Sequence, residues 1–160
     1  MKKAKVFHLS NFLILFYGLI TLVLLSACGG GSGGGGGSNS NNVLFGTSAD
    51  EASRRIVVDE VRERILITGY TNGDLNGKTN AGGRDIFVAE YDRNLNMKWT
   101  TLLGTAKDDA ARALAVNSVG EIFVTGSTLG NLGGKNNQGL SDIFLAKLDI
   151  SGNTQWIELL

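Results

Sequence analysis

From Gly46 to its end the chain says nearly the same thing twice, and this constrains its fold more than any other feature. "GTSADEASRRIVVDEVRERILITGYTNGDLNGKTNAGGRDIFVAEYDRNLNMKWTTLL" starts at Gly46, and "GTAKDDAARALAVNSVGEIFVTGSTLGNLGGKNNQGLSDIFLAKLDISGNTQWIELL" starts at Gly104. With one extra residue in the first copy around Arg62 to Arg64, the two align end to end. Gly46 matches Gly104, Asp50 Asp108, Val58 Val116, Gly69 Gly126, Lys78 Lys135, Asp85 Asp142, Phe87 Phe144, Asp92 Asp149 and Trp99 Trp156. A fixed period of this size marks a supersecondary unit that buries its apolar face only by stacking on a neighbour.

Each copy holds four short runs of strand character separated by turn signals. In the first they are "RRIVVD", "RILITGYT", "DIFVAEYD" and "MKWTTLL"; in the second, "RALAVN", "EIFVTGST", "DIFLAKLD" and "TQWIELL". No stretch after Cys28 sustains a helical period. The inner runs are almost continuously apolar, as Ile86, Phe87, Val88 and Ala89 show, so both faces of each sheet are expected to be covered. The expected fold is all-β: two four-stranded antiparallel blades packed face to face, a partial β-propeller.

The order "GT..D.A....V", "TG.T", "D.F.A..D" and then tryptophan resembles the SBBP type of β-propeller repeat. The resemblance covers residues 46–160 and implies four antiparallel strands per blade without implying a known activity. The units are read as residues 43–103 and 104–160. The first departs in carrying "EVRER" where the second has "SVGE", which predicts a longer first hairpin. Propellers close with about four to eight blades, so two leave open faces. Three outcomes follow: a head-to-tail homo-oligomer, the fragment of a longer array whose further blades lie elsewhere, or a smaller sandwich. Because Val43, Leu44 and Phe45 precede the first "GT" as Thr101, Leu102 and Leu103 precede the second, the expectation is a longer array first and an oligomer second.

Ahead of the repeats stands a different kind of segment. Lys2, Lys3 and Lys5 precede the apolar run "FLILFYGLITLVLLSA" from Phe12 to Ala27. This is the charged n-region and apolar h-region of a signal peptide, residues 1–27, and the run is shorter than the roughly 20 residues a transmembrane helix needs. Leu25, Ser26, Ala27 and Cys28 resemble the lipobox of bacterial lipoproteins. That resemblance implies cleavage before Cys28, a diacylglyceryl group on its thiol, and an acylated amino terminus, palmitate being the expected chain. Several acyl chains exceed the two signals that stable anchoring requires. Gly29 rather than aspartate follows the cysteine, which by the same resemblance implies a lipid-anchored place in the cell envelope, at the outer membrane if the cell is Gram-negative.

Residues 28–42 then read as the lipidated cysteine followed by "GGGSGGGGGSNSNN", a flexible tether with a reach on the order of 20 Å. Loss of residues 1–27 removes three lysines and the lone histidine, His8, leaving 12 basic against 15 acidic residues. Such a chain has no basic surplus for nucleic acid. Without histidine or a free thiol it builds no Ser/His/Asp triad, Cys/His pair or ordinary zinc site.

The long loops from Asn72 to Arg84 and from Leu129 to Ser141 are where binding is expected. Asp74, Asn76, Asn80 and Asp85 offer hard oxygen ligands of the kind calcium prefers, so a calcium site in the first loop is one expectation; no other cofactor is implied. Asx and glycine residues also simply make turns. "GKT" at Gly77, Lys78 and Thr79 lacks the earlier glycine of a phosphate loop, since Asn72 stands there. The acid pairs Asp50 with Glu51 and Asp108 with Asp109 recur in both copies, as structural caps do, and Trp99 and Trp156 recur as anchors of a blade core or interface. The expected function is a membrane-anchored lipoprotein displaying blades as a binding or scaffolding module for a protein or carbohydrate ligand, without catalysis. The alternative is a fragment or subunit of a larger propeller enzyme acting on an extracellular substrate such as carbohydrate.

Overall fold

In the computed structural model, which describes residues 45–160, the strand runs fold as two four-stranded antiparallel sheets. Cys28 and the lipobox lie outside the described residues. The first sheet has the order β1 (Glu51–Asp59), β2 (Arg64–Thr71), β3 (Asp85–Asp92) and β4 (Met97–Leu103). The second repeats it as β5 (Asp109–Val116), β6 (Ile122–Thr128), β7 (Asp142–Leu148) and β8 (Thr154–Leu159). Among the described residues the only helical element is a 3-10 turn at Leu132–Gly134. The fold is therefore all-β, with two blades of the propeller type.

Local chemistry explains the meander. At the β3–β4 turn, Asp92 Oδ1 accepts hydrogen bonds from the backbone N–H groups of Asn94 and Asn96, both at 2.9 Å. Asp149 does the same for Ser151 and Asn153, so the repeated aspartate is the turn-forming side chain in each blade. β1 starts three residues before its apolar run. Glu51 and Ala52 still pair with Thr71 and Tyr70, beyond a register shift between Ser53 and Arg55. An equivalent shift lies between Ala111 and Ala113 of β5. Such bulges break the alternation by which the eye finds a strand.

Because side chains alternate across a strand, each sheet has two distinct faces. On the first sheet, Leu66, Ile86 and Val88 form what we term the trailing face, and Ile67, Phe87 and Ala89 the leading face. The trailing face of the first sheet packs on the leading face of the second, where Leu114, Val124 and Phe144 complete one continuous core. The second sheet comes closest along β5, which runs against β1, β2 and β3. A smaller cluster covers part of the first sheet's leading face: Phe45 sits edge-on to Phe87 at 5.3 Å and to Tyr91 at 5.9 Å. Full coverage of both faces, expected from the apolar runs, holds only at the internal contact. Ile56 and Val58 on one outer face and Ile143 on the other stay exposed, because among the described residues no third sheet meets them.

Candidate binding surfaces

The seam between the sheets is built on a buried arginine. Arg64, at the start of β2, places Nε 3.0 Å from Asp59 Oδ2 and Nη1 2.9 Å from Glu90 Oε2. It also donates across the seam, from Nη2 to the Gly120 carbonyl at 2.7 Å and from Nη1 to the Ile150 carbonyl at 3.1 Å. The planar guanidinium carries five donors in a fixed fork, so one side chain ties two strands of its own sheet to two turns of the next. Burial alone would raise the Asp59 carboxyl, but the hydrogen bonds from Arg64 and Arg62 outweigh it and hold Asp59 below its ordinary value. Arg62 Nη2 adds a bond to the Ser118 carbonyl at 2.6 Å, and Thr101 Oγ1 donates to the Gly152 carbonyl at 2.7 Å. Trp99 lies flush against Gly152, whose Cβ, were there one, would fall 2.6 Å from the indole Cζ3.

At the opposite end of the strands sit the long loops, and here the repeated acids act as caps. Thr105 donates both its backbone N–H, at 2.6 Å, and its hydroxyl, at 2.8 Å, to Asp109 Oδ2, and Thr128 Oγ1 donates to Asp109 Oδ1. In the first copy Thr47 and Thr71 donate to Glu51 in the same arrangement. Asp108 takes the backbone N–H of Arg84 at 3.1 Å, and no described hydrogen bond engages the side chain of Asp50, which is exposed.

The four calcium-candidate residues also serve the loop itself. Asp74 Oδ1 accepts from Asn80 N–H at 2.8 Å, and Asn80 Oδ1 from Gly82 N–H at 2.8 Å. Asp85 Oδ2 accepts from Ala81 N–H at 2.7 Å. Asn76 stands apart, directing Nδ2 toward Thr100 Oγ1. The second loop uses Asn131 as the first uses Asp74, accepting from Asn137 N–H at 2.9 Å, so the carboxylate charge is not what the position needs. Among the described residues no three His, Cys, Asp or Glu side chains gather in a metal-binding arrangement. The "GKT" residues lie in a two-residue hairpin: Leu75 and Lys78 exchange backbone hydrogen bonds, and Asn76 and Gly77 both have left-handed φ, 50° and 72°. That is the Asn-Gly chemistry of a tight turn.

Asp85 has one further property: it is buried and its Oδ1 lacks a hydrogen-bond partner. Burial, assisted by the nearby charge of Asp109, pushes its carboxyl above the ordinary value. Between the blades a shallow open groove of about 340 Å³ is lined by Lys78, Thr79, Thr101 and the Gly152–Thr154 turn. The Arg64 seam was missed in the sequence because an arginine in a strand reads as a surface residue. The only signal was its replacement by Glu121 in the second copy, coupled to the replacement of Glu90 by Lys147.

The model of the SBBP family, a beta-propeller repeat, matches residues 98–133. That stretch runs from β4 of the first blade through β5 and β6 of the second, so the match straddles the boundary between the two sheets. No curated protein sequence matches the chain significantly.

Proposed function

We propose that this chain, which carries a β-propeller repeat of the SBBP family, is a lipid-anchored display module of the bacterial cell envelope. In this reading Cys28 carries the lipid, the Gly/Ser/Asn segment is the tether, and the blades present broad surfaces to a macromolecular partner, a protein in preference to a small molecule. The observation that carries the binding role is the way each blade spends its repeated acids. Glu51, Asp109, Asp85 and Asp92 all accept hydrogen bonds from the turns around them. What remains for recognition is exposed sheet face and loop surface, the kind of open area that macromolecules bind.

The anchoring half rests on Leu25, Ser26, Ala27 and Cys28 following a signal-like run. Metabolic labelling with a palmitate analogue, followed by membrane fractionation, tests it. The expected result is label on the intact chain in the membrane fraction and loss of both label and membrane attachment in Cys28→Ser. Label and attachment that survive in Cys28→Ser contradict the reading.

A further inference from the structure

We infer that the open trailing face of the second sheet receives the leading face of the first sheet of a second copy of this chain, so that copies stack head to tail. The inference rests on the blade reading above and gives that module its first partner. Its template is the seam inside one chain, because each outer face matches one side of that seam at its main apolar positions.

The apolar residues come first. Ile86, fully buried on the first sheet's trailing face, corresponds to Ile143, which is 57% exposed on the second sheet's. Leu114, 4% exposed on the second sheet's leading face, corresponds to Ile56, which is 53% exposed on the first sheet's. Trp99, packed on Gly152, corresponds to Trp156, 38% exposed. In each pair the side chain keeps its apolar character at a position where one chain alone leaves it in water.

The second argument is a glycine with no reason of its own. Gly104 has to be glycine, since a Cβ there would lie 2.7 Å from Asp85 Oδ2 and closer still to Oδ1 and Cγ. Gly46, its counterpart, meets only the Glu51 carboxylate, at 3.2 Å, which would have to give by no more than a few tenths of an ångström. A side chain would fit at Gly46 in an isolated chain. The carboxylate that matches Asp85 is Asp142, which accepts from Gln138 N–H at 2.7 Å as Asp85 does from Ala81. In a head-to-tail stack Asp142 of one copy lies against Gly46 of the next.

Charge changes at the seam positions. Where the trailing face of the first sheet carries Arg64 with Glu90, that of the second carries Lys147 with Glu121, 2.7 Å apart. Arg64 reaches the Gly120 and Ile150 carbonyls; in the stack Glu121, in its place, meets Arg93 as an opposite charge and Glu63 as a like one, with Lys147 beside it. Two residues depart from the template: Leu140 takes the place of Gly83 and adds an apolar side chain at the corner facing Asp50, and Phe45, which covers part of the receiving face against Phe87 and Tyr91, stands where Leu160 of the neighbouring copy matches Leu103 and has to swing aside. The contact joins two different faces, so it generates either a ring or an open stack. Closure at about four to eight blades corresponds to roughly two to four copies.

The test is cysteine cross-linking between full-length chains. Within one chain Asp108 Oδ1 accepts from the Arg84 N–H at 3.1 Å, and the neighbouring Asp109 N–H donates to the Arg84 carbonyl at 2.7 Å; between copies the same contact joins Asp50 to Ser141. Chains bearing Asp50→Cys and chains bearing Ser141→Cys are solubilised in mild detergent, mixed, oxidised gently and run without reductant. The expected result is a disulfide-linked dimer at least tenfold stronger in the mixture than with either variant alone, native Cys28 being common to every arm. Adding Ile143→Glu to the Ser141→Cys chain removes the dimer while leaving its circular dichroism unchanged. Three outcomes overturn the inference: no cross-link in the mixture, as when another protein covers the face; equal cross-linking in the single-variant arms; or a cross-link that Ile143→Glu does not reduce. Palmitate labelling at Cys28 reads the anchoring reading independently, so failure of one leaves the other legible.

Discussion

Replacing Gly104 with alanine, beside the same replacement at Gly46, asks whether the two sheets press on each other as described. The new Cβ at position 104 would stand 2.7 Å from Asp85 Oδ2 and closer to two other atoms of that carboxyl group. Non-bonded heavy atoms settle near 3.5–4.0 Å, so Asp85 has to retreat by about 1 Å or more. It is 1% exposed and has little room to retreat into, and overpacking of this kind costs about 1–3 kcal/mol. Against this, alanine stiffens the unfolded chain and returns about 0.4–1 kcal/mol. The expected net effect of Gly104→Ala is a loss of about 1–2 kcal/mol. For Gly46→Ala only the Glu51 carboxylate, 3.2 Å away, has to give by a few tenths of an ångström, and unassembled protein stays level to within a few tenths of a kcal/mol. Urea unfolding of detergent-solubilised protein at low concentration, followed by tryptophan fluorescence, measures both. Equal stability of Gly104→Ala and the parent, or equal losses for the two variants, would refute the reasoning.

Arg64→Met leaves Asp59 and Glu90 without their buried cation and two carbonyls across the seam without a donor. It should cost about 3–5 kcal/mol, the usual penalty for removing one partner of a buried pair, and the loss should shrink when Asp59→Asn is added. The two unusual carboxyls have opposite pH signatures. Asp59 sits below its ordinary value, so its contribution is present above about pH 4 and is lost as pH falls through the lowered folded-state value. Asp85 sits above its ordinary value, so its ionisation weakens the fold as pH rises from about 4 through the raised value. Asp85→Asn should therefore gain stability relative to the parent at pH 7 and none at pH 3.5, read from urea midpoints at the two values.

Much of this architecture was legible in the chain because a repeat doubles the evidence for every element. The aspartates at 92 and 149 were visible as repeated residues closing a strand run, and the apolar runs of β2, β3, β6 and β7 announced buried strands. What the pattern could not carry were features without periodicity. The first residues of β1 and β5 lie across bulges, where alternation fails. Arg64 was hidden because its charge is satisfied by carbonyls that lie 56 and 86 residues further along the chain. The loop oxygens at Asp74, Asn80 and Asp85 looked like cation ligands since the same atoms that hold a cation also accept backbone N–H groups. Only coordinates separate the two uses. The glycine at position 46 could be seen as repeated, but its meaning depends on the distance between Gly104 and Asp85.

The central claim is that the two sheets are successive blades, one face of each used inside the chain and one left for a neighbour. Acrylamide quenching of the single-tryptophan variants Trp99→Phe and Trp156→Phe, measured over a range of protein concentrations, tests it most directly. Trp99 is half-buried against Gly152 within the chain, so its quenching should be the weaker of the two and independent of concentration. Trp156, on the outer face, should be quenched strongly in dilute protein and progressively less as copies stack. Equal quenching of both tryptophans at every concentration would contradict the account.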